Sequence, residues 1–173
     1  MRRDEVSSIR VLVADDSRYM SVACRRILET QDHIKVVGLA ADGEEAISQA
    51  MALSPDVVVL DVRMPGRSVI DAARVIVQER PGTGAVLIAN YDDPEYIVEL
   101  LRDGAAGKAY LLKSSVEDVE QLIRAVEAVA VGRTLLDGVI VDRLIRSHAN
   151  SPDLLYRCLS RHEEDVLSLM RVG

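Results

Sequence analysis

Short runs of β-branched and aliphatic residues alternate along the chain with longer segments whose apolar positions recur at helical spacing. The runs are Ile9 to Ala14, Ile34 to Ala40, Val57 to Leu60, Ala85 to Ala89 and Ala109 to Leu112. Several lack polar alternation: Val57-Val58-Val59-Leu60 is apolar on both faces. A strand that must hide both faces needs helices on both sides, which predicts a parallel sheet. Between the runs, Ser17 to Thr30 predicts a helix with Tyr19, Val22, Ala23, Ile27 and Leu28 on its apolar face. A second helix opens at Asp42-Gly43-Glu44-Glu45, with acids where the helix dipole favours them. Further helices are expected over Ser68 to Glu79, Pro94 to Asp103 and Val116 to Val131, the last with Val116, Val119, Ile123, Val126 and Ala130 as its stripe and Gly132 as its stop. Five βα units of this kind predict a doubly wound α/β domain.

Beyond Gly132 the alternation ends. Asp137 to His148 predicts one more amphipathic helix, carrying Val139, Ile140, Val141, Leu144 and Ile145. Ala149-Asn150-Ser151-Pro152-Asp153 reads as a linker. Ser160 and Glu163 then have the spacing of a capping box, ahead of a helix through Val166, Leu167, Leu169 and Met170. One such helix cannot bury its own apolar face, so it reads as the first helix of a further domain.

Composition narrows the function. The 173 residues suit one domain plus a tail, with 49% hydrophobic and 28% charged residues. There is no Phe and no Trp, so a base-stacking nucleic-acid platform is not expected. The net charge of −7 argues against DNA or membrane-surface binding by this chain on its own. Two cysteines, Cys24 and Cys158, make no disulfide framework and point to a reducing cytoplasm. No apolar run reaches the length of a membrane span. Arg2-Arg3 is followed by no apolar stretch, so a signal peptide is not expected.

The chemistry gathers at strand ends. In open α/β sheets ligands sit at the carboxyl ends of the strands. The first strand ends in Asp15-Asp16, the third in Asp61 and the fifth in Lys113. Taken alone, an Asp-Asp pair after a strand is usually a helix cap, and a lone lysine there a solvated charge. Together they form a pattern with a cost: carboxylates within about 4–5 Å of one another repel by several kcal/mol per pair at an effective dielectric of about 20. A divalent, oxygen-seeking cation removes that conflict. Magnesium fits, because it takes one or two carboxylates and recruits phosphate oxygens. A carboxylate in such a site can act as a nucleophile toward phosphorus, and a lysine opposite it neutralises the phosphoryl oxygens.

Ile9-Arg10-Val11-Leu12-Val13-Ala14-Asp15-Asp16-Ser17, Pro55-Asp56-Val57-Val58-Val59-Leu60-Asp61-Val62-Arg63-Met64-Pro65-Gly66 and Tyr110-Leu111-Leu112-Lys113 resemble the receiver domain of bacterial two-component response regulators. The Arg-Met-Pro-Gly turn is similar to the NarL/FixJ branch, and Leu159-Ser160-Arg161-His162-Glu163-Glu164-Asp165-Val166-Leu167 resembles the opening of its LuxR-type helix-turn-helix. The resemblance implies a flavodoxin-like sheet of five parallel strands in the order 2-1-3-4-5 with a helical C-terminal tail. It implies a receiver over 8–132, a helical linker over 133–158 and the first helix of the DNA-binding domain over 159–173. It assigns Asp61 as phosphoryl acceptor, Asp16 as direct magnesium ligand, Asp15 as a partner holding the metal through water, and the Arg63 backbone carbonyl as a further metal ligand. Lys113 becomes the phosphate-pairing lysine and Tyr110 the aromatic switch, whose ring moves inward on activation. The implied partners are a sensor histidine kinase and a second copy of the chain, with DNA reached only through the domain beyond the linker and no membrane.

Three positions depart from that pattern. Where the family carries a Ser or Thr that bonds the phosphoryl group, this chain has Ala89. A hydrogen bond to a charged partner contributes about 1.5–3 kcal/mol, so its loss weakens the coupling of phosphorylation to conformation roughly ten- to hundredfold. The neighbouring Asn90 carries an amide that could substitute if the loop shifts. Asp-Gly of the family is replaced by Ser68-Val69, and Val69 would be strained if its position required a positive φ. Gly104 to Ala109 is two residues longer than the shortest family form.

Other features add little. Cys24 reads as a small core residue, and Cys158 has no neighbour that would activate it. His33, His148 and His162 lack metal-ligand spacing. Neither Pro81-Gly82-Thr83-Gly84 nor Gly104-Ala105-Ala106-Gly107 is a nucleotide-binding fingerprint. A phosphatase built on an Asp nucleophile would place a second Asp two residues later, where Arg63 stands. The expectation is a receiver that catalyses at most its own aspartyl phosphorylation and dephosphorylation. A receiver-shaped dimerisation or scaffold module insensitive to phosphorylation is its rival, favoured by Ala89.

Overall fold

The computed structural model describes residues 7–90, 94–116 and 119–147. In chain order the elements are β1 (Ile9–Ala14), α1 (Arg18–Leu28), β2 (Ile34–Ala40), α2 (Gly43–Leu53), β3 (Val57–Asp61), α3 (Val69–Glu79), β4 (Gly84–Ala89), α4 (Pro94–Leu101), β5 (Lys108–Leu112), α5 (Lys113–Val116), α6 (Val119–Ala130), β6 (Leu135–Leu136) and α7 (Gly138–Ser147). The strands form one parallel sheet in the order β2-β1-β3-β4-β5-β6. The expected five strands stand in the expected order. The sixth strand is an addition: Leu135 and Leu136 pair with Ala109 and Tyr110, and two residues are too few to show a period.

The strands that read as apolar on both faces are covered on both. Leu12, Val58, Leu60, Leu87 and Tyr110 join an apolar cluster with α2, α3, α4 and α7. Val11, Val13, Val57, Val59, Val86 and Leu111 join a second cluster with α1 and α6. Every residue of β3 and β4 is buried. Cys24 lies in the second cluster, 3% exposed, and burial pushes its thiol pKa up to about 11, which fits a packing role.

Two helix faces differ from the sequence reading. In α1 the buried residues are Ser21, Cys24 and Leu28, while Tyr19 is 82% exposed. Two residues turn a helix by about 200°, so Tyr19 and Ser21 point to opposite sides. In α6 the buried stripe is Leu122, Ala125, Val126 and Val129, and Val119 is exposed.

Residues 133–147 are part of the packed body. Ile140 and Leu144 of α7 are buried in the cluster that holds Ile97, Leu100 and Leu101 of α4. The Asp137 amide donates to the Tyr110 carbonyl at 3.3 Å. The linker over 149–153, the helix from Ser160, and Tyr91, His148, Cys158 and His162 lie outside the described residues.

The turn after β3 relieves the strain expected at Val69. The positive φ falls on Gly66, at +88°, and Val69 is the buried first residue of α3. A tighter constraint sits at Gly84, where β4 passes under α6. A Cβ there would lie 2.7 Å from the Val129 carbonyl oxygen and 2.9 Å from the Val129 Cβ. Gly84→Ala is therefore expected to destabilise the chain by about 1–3 kcal/mol through overpacking. Gly82→Ala, whose Cβ meets nothing within 4 Å, is expected to change stability by less than about 0.5 kcal/mol. Urea unfolding of the pair tests this, and equal midpoints would refute it.

Candidate functional site

The carboxyl ends of β1, β3, β4 and β5 lie side by side, because the sheet register leaves little choice. Asp61 pairs with Ile88 and Ala89 with Leu112. Ala89 thus stands one residue, and Lys113 two residues, beyond the level of Asp61 on the neighbouring strands. Asp15 and Asp16 follow β1 directly, and β1 pairs with β3 up to Ala14 and Leu60.

The turn after β1 aims the acids. Ser17 is the N-cap of α1, its hydroxyl accepting from the Met20 amide at 3.4 Å. The cap is therefore Ser17 and not either aspartate, which removes the commonplace reading of the Asp-Asp pair. Asp15 accepts from the Ser17 amide at 2.8 Å and its own amide donates to Ala40 at 3.0 Å. No side-chain pattern in the chain marks these backbone contacts. Asp15 is 7% exposed and Asp61 3%. Carboxylate oxygens of Asp15, Asp16 and Asp61 all lie within 4.8 Å of one another. One Asp61 oxygen accepts from the Arg63 amide at 3.1 Å and the other meets the Lys113 ammonium at 3.1 Å. Lys113 is the first residue of α5, one position past the end of β5.

Three carboxylates face one ammonium here. Burial pushes the Asp15 pKa up to about 6, and the charges of Asp61 and Asp16 add to it, against the pull of the Ser17 amide and Lys113. The donor set suits a hard divalent cation: all three groups offer oxygen, two are buried, and the unbalanced charge is negative. Asp15, Asp16 and Asp61 are the residues that would hold it.

Two expected switch positions sit on the face of the sheet covered by α4. Ala89 is 4% exposed and closes β4. Tyr110 is fully buried, beyond the half-burial usual for a strand tyrosine, and shares its cluster with Ala89, Ile97, Leu136 and Ile140. Asn90 is exposed.

Comparison with known proteins agrees with this geometry. The family described as response regulator receiver domain matches residues 11–131. The oxygen regulatory protein NreC of Staphylococcus carnosus is 36% identical over 173 residues, spanning 95% of this chain and 78% of that protein. Among solved structures, the signal receiver domain of the putative response regulator NarL from Mycobacterium tuberculosis is 33% identical. It superposes with a TM-score of 0.67 over 73% of this chain and 99% of that one. A LuxR-family two-component response regulator from Aurantimonas is 26% identical, with a TM-score of 0.72 over 83% and 99% of the two chains. Among the described residues, no helix is long and apolar enough to cross a membrane. Fold, strand-end acids and relatives converge: the chain belongs to the response regulator receiver family, with relatives of the NreC and NarL type.

Proposed function

We propose that Asp61 is the phosphoryl acceptor of a two-component switch, with a sensor histidine kinase in the cytoplasm as donor. The supporting observation is the convergence of Asp15, Asp16 and Asp61 within 4.8 Å, with Lys113 3.1 Å from Asp61. A carboxylate oxygen of Asp61 attacks the donor's phosphorus. The bond from phosphorus to the donor's nitrogen or oxygen breaks, and the donor leaves with that electron pair. The Arg63 amide holds the other Asp61 oxygen in place, and Lys113 transfers its pairing to a phosphoryl oxygen. Magnesium would be held by Asp15, Asp16, Asp61 and the Arg63 carbonyl, and would supply positive charge for the phosphoryl oxygens. The resulting change falls on the face of α4, β5 and α6, and controls dimerisation and, through a LuxR-type domain, DNA binding.

Incubation with acetyl phosphate and magnesium, followed by intact mass and light scattering, tests this reading. One phosphoryl mass is expected, absent when a chelator is present throughout the incubation, together with a shift in oligomeric state. A mass gain with no conformational or oligomeric response would favour the scaffold module that Ala89 suggests. No gain from acetyl phosphate or a second phosphodonor would refute the acceptor role.

The acid cluster makes a further prediction. Asp15→Asn keeps an oxygen for the Ser17 amide and removes one charge. The metal-free variant is expected to be more stable than the parent by about 1–2 kcal/mol at neutral pH. Magnesium should raise the melting temperature of the parent and leave the variant nearly unchanged. Thermal unfolding with and without magnesium decides it; a variant that melts below the metal-free parent would contradict the repulsion argument.

A further inference from the structure

α3 and α4 share an apolar cluster and are also joined by ion pairs. The apolar side of α4, with Ile97, Leu100 and Leu101, is buried in the core. Arg74 of α3 reaches Glu99 of α4 at 3.2 Å, Asp103 in the turn just after α4 at 3.1 Å, and Asp71 of its own helix at 3.4 Å. Glu99 and Asp103 together hold the guanidinium above its ordinary pKa, the Glu99 hydrogen bond contributing most. Beside these pairs lies a cavity of about 160 Å³ between the helices, with Ile70, Ala73, Val77 and Leu100 among its walls. Close packing, which rigidifies most interfaces, is therefore missing beside the ion pairs. From β5, the Lys108 ammonium donates to the Leu100 carbonyl at 2.8 Å.

We propose that Arg74 is a positioning residue that latches α4 to α3 in the unphosphorylated chain, and that switching breaks this latch. The inference rests on Asp61 phosphorylation acting on the α4 face. A polar clasp over a cavity suits an element that must move: ion pairs between exposed groups are weak and exchangeable, and the cavity leaves room for side chains to repack. By linkage, a latch that favours one state of α4 must oppose whatever favours the other.

The test compares the parent, Arg74→Ala and Arg74→Lys in the full chain, using hydrogen exchange across 96–103 and titration with beryllofluoride and magnesium. Arg74→Ala is expected to exchange several-fold faster in α4 and to bind beryllofluoride about three- to tenfold more tightly. Arg74→Lys should lie between it and the parent. Raising the salt from about 0.05 to about 0.5 M should move the parent toward the alanine variant. Faster exchange with unchanged or weaker beryllofluoride affinity would make Arg74 merely structural and overturn the latch. A parent that takes no beryllofluoride would overturn the phosphoacceptor reading, and the latch with it, in the parent arm alone.

Discussion

Asp61→Asn is expected to abolish phosphoryl uptake: the single mass gain given by acetyl phosphate and magnesium should disappear completely. The chain has 28 acidic residues, so the expectation must come from what separates Asp61 from the others. An ordinary exposed carboxylate is solvated and meets a phosphoryl donor without any group to balance the charge that gathers on it. Asp61 is 3% exposed, has one oxygen fixed by the Arg63 amide at 3.1 Å, and faces Lys113 at 3.1 Å. Those contacts would orient the proposed nucleophile and bring a cation to where transferred oxygens would arrive. The amide of Asn has nearly the same shape and no nucleophilic oxygen of comparable strength. The substitution removes one of three mutually repelling charges, and Lys113, 23% exposed, reaches water when its partner is neutral. The variant should therefore fold, which circular dichroism confirms independently of the chemistry. A residual gain in the variant would place the acceptor elsewhere, with Asp15 or Asp16 as the first residues to examine by fragment mass.

What could be read ahead of the structure follows from how local each signal is. The five long strands were legible because Val57 to Leu60 and its counterparts are apolar on both faces over four or more residues. The site was legible because a parallel sheet puts every strand's carboxyl end on one edge, so Asp15, Asp16, Asp61 and Lys113 needed only correct strand ends to be brought together. Short or long-range features were not legible. β6 is two residues long. Tyr19 looked like part of an apolar face because Val22 and Ala23 follow it, but the side of α1 that is buried is fixed by Ser21, Cys24 and Leu28 against the sheet. The Arg74 pairs join residues 25 and 29 positions apart, and no local pattern marks one arginine among many for that contact. The strain expected at Val69 assumed the family's turn; here Gly66 takes the positive φ, two residues before Ser68 caps α3.

The second large effect is expected from Ala89→Ser. Ala89 ends β4 one residue beyond the level of Asp61 and lies on the same face as Tyr110. In the family the chain resembles, a hydroxyl at this position bonds the phosphoryl group and draws the following loop with it. Alanine offers no donor, so a phosphoryl group on Asp61 would have one handle fewer on the loop that leads to α4. Serine restores the handle with one added atom, small enough for a site that is 4% exposed. A hydrogen bond to a charged acceptor contributes about 1.5–3 kcal/mol, which corresponds to roughly a ten- to hundredfold rise in the ratio of switched to unswitched chains. Beryllofluoride titration followed by amide NMR across β5 and α6 reads that ratio directly. The parent should respond weakly and the serine variant fully, while both take up one phosphoryl group from acetyl phosphate. A parent that already responds as strongly as the variant would show that the missing hydroxyl does not matter, and Asn90→Ala would then reveal whether the neighbouring amide has taken its place. If neither chain responds although both are phosphorylated, the break lies beyond Ala89. Tyr110 is then the next element in line, since its ring is buried in the same cluster as residues of α4 and α7.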